Sequence, residues 1–104
     1  MRNFDAKTML RMVTGAIETE NLKNIDGEKH TCTAYGFTTV ETNNGNKPVL
    51  YMELDGKAYA TASEPFQKTF RVIANYITDN ACDILVIKRM NKDGTREYLV
   101  CDIA

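Results

Sequence analysis

The sequence predicts a mainly β, α+β fold: five antiparallel strands, one helix between the third and fourth, and a second helix ahead of the first. Three observations carry this reading. Pro48 to Leu54 and Lys57 to Thr61 alternate apolar and polar residues on either side of Asp55-Gly56, a strong short-range hairpin signal. The period then changes: Phe66, Phe70, Ile73, Ala74 and Ile77 recur at i, i+4, i+7, i+8 and i+11, on one helical face. Two further apolar runs, Cys82 to Met90 and Arg96 to Ile103, flank the turn-forming Asn91-Lys92-Asp93-Gly94-Thr95.

In chain order, residues 1–20 are expected to hold an N-terminal helix. Asp5 suits its N-cap, and Leu10, Val13 and Ile17 form a stripe flanked by Met9, Met12 and Ala16. Gly15 costs such a helix about 1 kcal/mol relative to alanine, so it needs a surface to lie on. It serves either as a cap over the core or as a methionine-rich face for dimerisation or a partner. Glu18 to Glu28 is polar and reads as linker and turn. Lys29 to Glu41 is a long strand rich in threonine and aromatic residues, with Gly36 marking a bend or bulge. Asn43-Asn44-Gly45-Asn46 is a turn. Ser63 is the expected N-cap of the central helix, with Glu64 and Pro65 favourable in its first turn, and Asp79-Asn80 ends it. The order within residues 29–103 is that of a five-stranded OB-like antiparallel barrel. With 104 residues, 43% of them hydrophobic and 26% charged, the chain is read as a single domain over residues 1–104.

Strand parity selects candidate site residues. If Leu54-Asp55-Gly56 forms a three-residue bulged loop, Glu53 pairs with Lys57 and Tyr51 with Tyr59, leaving Leu50, Met52, Ala58 and Ala60 for the core. A two-residue Asp55-Gly56 loop would instead move Tyr59 to the side of Met52. The first register separates polar from apolar residues better and is the expected one. Pairing Asn91 with Thr95 sets Arg89 opposite Glu97 and Lys88 opposite Tyr98, with Leu85, Ile87, Leu99 and Cys101 as an apolar block. Tyr35 and Phe37 share a face with Thr33 and Thr39. The resulting surface carries Tyr35, Phe37, Tyr51, Tyr59, Lys57, Lys88, Lys92, Arg96 and Tyr98. Rings on a sheet flanked by cations suit a single-stranded nucleic acid, each stacked base gaining about 1–3 kcal/mol. Ordinary burial of rings is the competing account for each aromatic taken alone.

Other chemistries find little support. A net charge of −1 excludes coating of nucleic acid by bulk charge and leaves room for a local basic face. Glu53 and Glu97 dilute the positive field of the candidate surface. Cys32, Cys82 and Cys101 are odd in number, lack CxxC spacing and lie in apolar segments, as reduced buried thiols do. His30, at a strand end with no predicted carboxylate or nucleophile beside it, reads as a solvated histidine. No Cys/His spacing suggests a metal site and no glycine-rich loop suggests a nucleotide, so neither a metal nor a cofactor is expected, and the chain is read as non-enzymatic. No apolar run reaches the ~20 residues that span a bilayer, and the start does not read as a signal peptide, so a cytoplasmic protein with no membrane partner is expected.

Lys57-Ala58-Tyr59-Ala60-Thr61-Ala62-Ser63 leading into a helix with Phe66 and Phe70, followed by Lys92-Asp93-Gly94 and Tyr98-Leu99-Val100-Cys101, resembles small bacteriophage-encoded single-stranded DNA-binding proteins with an OB fold. The resemblance covers residues 29–103 and leaves the N-terminal helix aside. It implies binding of single-stranded DNA, with RNA as the alternative strand, in phage replication or recombination. It places Tyr35, Tyr51, Lys57, Tyr59 and Arg96 near the strand. The sequence closes on Cys101-Asp102-Ile103-Ala104 where that group carries an acidic tail, so no tail-mediated partner contact is expected. A homodimer through the N-terminal helix or a sheet edge is the expected assembly. The alternative is a protein-interaction module, such as a small phage protein that binds or inhibits a host enzyme. Its interface would be Met9, Leu10, Met12 and Val13, or an exposed strand.

Overall fold

A computed structural model describes residues 1–104. Its elements are β1 (Arg2–Asn3), α1 (Ala6–Val13), β2 (Glu20–Asn21), a 3-10 turn (Leu22–Ile25), β3 (Lys29–Thr42), β4 (Gly45–Leu54), β5 (Lys57–Thr61), α2 (Glu64–Tyr76), β6 (Cys82–Met90) and β7 (Glu97–Ile103). One sheet runs β2-β5-β4-β3-β6-β7, with β1 alongside β3. The long strands pair antiparallel, and β1 and β2 add short parallel contacts. The fold is thus mainly β with two α-helices, as the sequence predicts.

β3 is shared by two neighbours. Lys29 to Cys32 pair with β6, Cys32 to Thr42 pair with β4, and the register shifts between Cys32 and Ala34. A bulge of this kind bends the strand and increases its twist, and the sheet curls around its core. The bend lies at Thr33 and not at Gly36, which pairs in register with Tyr51. Gly36 has another role. A Cβ built there would meet Met9 Sδ at 2.5 Å, so the missing side chain makes room for α1 on the outer face of the sheet.

The predicted barrel closure is absent: β5 and β7 form no ladder. Two local interactions account for this. α2 lies along β7, where the Cys101 N–H donates to Thr69 Oγ1 at 2.9 Å and Ser63 Oγ donates to the Leu99 carbonyl at 3.4 Å. β2 takes the outer edge of β5 at Tyr59 and Ala60. Edge groups available for closure are therefore already engaged.

Both predicted hairpin registers slip by one residue. Asp55 and Gly56 adopt φ of 53° and 79°, the signature of a two-residue turn whose twist matches the strands, so Leu54 pairs with Lys57 and Met52 with Tyr59. In the last hairpin the Asn91 N–H donates to the Arg96 carbonyl at 3.0 Å, which extends the loop by a residue, with Gly94 at φ 73°. Lys88 is therefore opposite Leu99 and Arg89 opposite Tyr98. Ile84 and Val86, rather than Leu85 and Ile87, are the residues of β6 buried in the core with Leu99 and Cys101.

The core gathers Leu50, Met52, Leu54, Ile84 and Val86 beneath Phe66 and Phe70 of α2. Ser63 caps α2, its Oγ accepting the Phe66 N–H at 3.4 Å. The segment expected to be a linker instead contributes Leu22, with no exposed surface, from the 3-10 turn. Asp5 caps α1 as expected, accepting the Thr8 N–H at 2.7 Å. The helix ends at Val13 because Gly15 turns left-handed at φ 84°. Its inward stripe is Met9 and Met12; Leu10 and Val13 are exposed. No helix is long and apolar enough to cross a membrane.

Replacing Gly36 by valine should push α1 off the sheet while leaving the strands paired. We expect a loss of about 1–3 kcal/mol in denaturant unfolding and faster amide exchange confined to residues 1–14; uniform exchange change across the sheet would contradict this placement of Met9.

Candidate nucleic-acid interface

The register decides where the predicted aromatic residues go. On β3, β4 and β5 the residues of one face meet α2: Tyr35 and Phe37 pair with Met52 and Leu50, and Tyr59 pairs with Met52. Tyr35 and Phe37 are half-buried, their ring centroids 5.2 and 6.3 Å from that of Phe70. The Arg71 guanidinium carbon lies 4.0 Å from the centroid of Phe37. Tyr59 is only 5% exposed and belongs to the core. Tyr51 is on the other face, opposite Gly36 and Ala60, and is 7% exposed. Burial raises the phenol pKa of both tyrosines. The common stacking face expected for Tyr35, Phe37, Tyr51 and Tyr59 is therefore not formed: the one-residue hairpin slip turns Tyr59 to the side away from Tyr51, and the β3–β4 pairing sets Tyr35 and Phe37 on the inner face with Met52 and Leu50.

The predicted cations divide as well. Lys57 borders a small cleft with Glu18 and Glu20, an unfavourable setting for a phosphate. Lys92 and Arg96 are exposed in the loop between β6 and β7. Lys88 and Tyr98 come together, in the seam left open between β5 and β7.

That seam is a groove of about 410 Å³. Thr61, Ala62 and Ser63 line one side, where β5 passes into α2; Glu97, Tyr98 and Leu99 of β7 line the other. Lys23, Lys47 and Lys88 converge on it from the 3-10 turn, β4 and β6. Lys88 is shared between Asp26 at 3.7 Å and Glu97 at 3.9 Å, whereas Lys23 and Lys47 enter no salt bridge. The N-terminus of α2 opens on the same groove through Ala62 and Ser63; its dipole favours negative charge there, although Ser63 caps the Phe66 N–H, Pro65 has none to offer and Glu64 is acidic. Lys23 and Lys47 are absent from the predicted set. Lys23 lies in a stretch read as linker, and Lys47 precedes a proline in a turn-rich segment. Neither has a local pattern; only the curl of the sheet brings them to Lys88.

His30 departs from its expected solvated state. It is buried, its Nδ1 is 2.6 Å from Asp55 Oδ2, and its Nε2 is 3.2 Å from the Ile25 carbonyl. Both ring nitrogens thus face internal oxygens, an anchoring arrangement that presents neither to a substrate. Asp55 also accepts the Thr31 N–H at 3.0 Å. That backbone bond, then the His30 contact, holds its carboxyl below the usual carboxylate range. The three thiols are buried and unpaired by disulfides, and burial pushes Cys32 and Cys101 up to about 12.

Comparison of the chain with family models, curated proteins and solved structures returns no match.

A depressed carboxyl stabilises the fold above its unfolded pKa, and that stabilisation is lost as pH falls through the folded value. Asp55→Asn, which keeps the left-handed turn accessible, should lower stability at neutral pH by about 1 kcal/mol, small because the carboxylate is half-exposed. The gap between variant and wild type should close as unfolding is followed from pH 6 down to about 3; a gap independent of pH would show that the charge is not responsible. Tyr59→Ala should cost about 3 kcal/mol of stability, read as a lower Tm, in place of a selective loss of ligand binding.

Proposed function

We propose that this chain is a non-catalytic binding module for single-stranded nucleic acid, DNA in the first instance, and that the strand enters at the seam between β5 and β7. The observation that carries the reading is the convergence of Lys23, Lys47 and Lys88 on that groove beside the N-terminus of α2 and Tyr98. In this reading phosphates lie against the lysines, and bases lie toward Tyr98 and the loop carrying Lys92 and Arg96. The connectivity supports it. One strand, β3, pairs with both β4 and β6, and the helix falls between the third and fourth long strands. We read this as an OB arrangement opened at its closing seam, with the groove in place of the last ladder.

The size of the site bears on its strength. Contacts from three lysines to a single strand imply a salt slope of about −2 in log K against log salt. Such a binder works at low to moderate ionic strength and relies on stacking for part of its affinity.

The test is a titration of fluorescein-labelled oligo-dT, oligo-U and a matched duplex into the protein at two salt concentrations. Preference for the single strands over duplex, with a salt slope of about −2, is the expected result; comparing dT with U separates DNA from RNA. Lys23→Glu combined with Lys47→Glu should weaken the preferred strand about tenfold without lowering Tm. Absence of binding at low salt, or binding indifferent to both substitutions, would sink the reading.

A further inference from the structure

α1 carries a surface that neither the core nor the seam uses. Met9 lies over Gly36 and Met12 is 4% exposed, so the sheet takes up this stripe of the helix. Leu10 and Val13, three residues apart and hence neighbours on the helix, are 63% and 42% exposed. Lys7, three before Leu10, and Arg11, four after Lys7, lie along one side of that pair; both are exposed and neither enters a salt bridge. The nearby Asp5 carboxylate is engaged as the N-cap by the Thr8 N–H. An eight-residue helix thus has one apolar stripe buried and a second one open, edged by unpaired positive charge.

We propose that Lys7, Leu10, Arg11 and Val13 form a docking surface for an acidic amphipathic segment of another protein. Its apolar residues would cover Leu10 and Val13, and its carboxylates would meet Lys7 and Arg11. Charge selects this occupant. A second copy packed through the same helix would bring Lys7 and Arg11 of both copies onto one interface, and like charges facing each other there are destabilising. An anionic bilayer would match the cations, but two side chains offer little of the apolar area that a surface-lying helix needs. A partner helix of opposite charge satisfies both features at once. The surface does not depend on the seam binding nucleic acid.

The probe is a fluorescein-labelled peptide of about 15 residues, with leucine on one helical face and glutamate elsewhere, titrated into the full chain. A scrambled peptide of equal composition is the control. The expected result is micromolar binding that weakens about tenfold for the scrambled peptide, for Leu10→Ser with Val13→Ser, and for Lys7→Glu with Arg11→Glu. Circular dichroism should remain that of the wild type, because the substituted side chains are exposed. Lys23→Glu with Lys47→Glu should leave peptide affinity unchanged. The proposal is overturned if the peptide does not bind, or if the seam variant alone weakens it. It is equally overturned if the protein sediments as a dimer that Leu10→Ser dissociates, or if it binds phosphatidylglycerol vesicles through Leu10 and Val13.

Discussion

The structure depends on one bend. β3 has to serve β6 over its first four residues and β4 over the remainder, and it changes partner at Cys32. The bulge at Thr33 makes this possible, and three carboxylates from three different elements pin the backbone around it. Asp83 accepts from the Thr31 hydroxyl at 2.7 Å, Glu53 from the Thr33 hydroxyl at 2.6 Å, and Asp55 from the Thr31 N–H while contacting His30. A bulge leaves a residue out of the ladder; here polar side chains from β6, β4 and the tight turn stabilise the segment that would otherwise be free to slide. With β3 fixed at that angle, the other long strands follow.

The same curvature leaves the sheet open. α2 occupies the place beside β7 that a closing strand would take, using the hydroxyls of Ser63 and Thr69 as partners for the strand edge. An edge satisfied by hydroxyls resists the addition of another strand, so the gap toward β5 persists as a groove and does not zip up. The seam is therefore a consequence of helix packing, and its cationic lining uses residues from three parts of the chain that share nothing in sequence.

The types of the long strands and of α2 were legible in the sequence; their registers, the short elements within residues 1–25 and the true extent of α1 were not. Ser63 with Phe66, Phe70 and Ile73 marks α2 because capping and a 3.6-residue period are local properties. The hairpin at Asp55-Gly56 was equally visible, but its length depended on Asp55 accepting a left-handed conformation, which its contacts with His30 and Thr31 favour. Those partners are more than twenty positions away. One residue of slip then moved Tyr51 and Tyr59 from a shared face to opposite faces, and the aromatic surface dissolved. Lys88 and Tyr98 both line the seam, Tyr98 from the bordering strand β7 and Lys88 from β6 next to it. Lys23 and Lys47 could not be found, since nothing short of the curled sheet relates them. Leu22 was hidden for a similar reason: an isolated apolar residue in a polar stretch has no period to reveal it.

The modest net charge of −1 is not the charge that a ligand meets. Asp5 is engaged by a helix cap, Asp93 by Thr95 in the last loop, and Asp55, Asp83 and Glu53 by the bend in β3. These acids are held by short local contacts on the framework, where their fields are partly met by the N–H and O–H groups they accept from. Lys7, Arg11, Lys23 and Lys47 have no such partners and project from α1 and the seam. Segregation of this kind lets a nearly neutral chain expose unpaired cations in two separate places, on α1 and along the seam. Within a Debye length of about 8–10 Å at moderate salt, an approaching phosphate or carboxylate responds to those local cations and not to the sum over the chain.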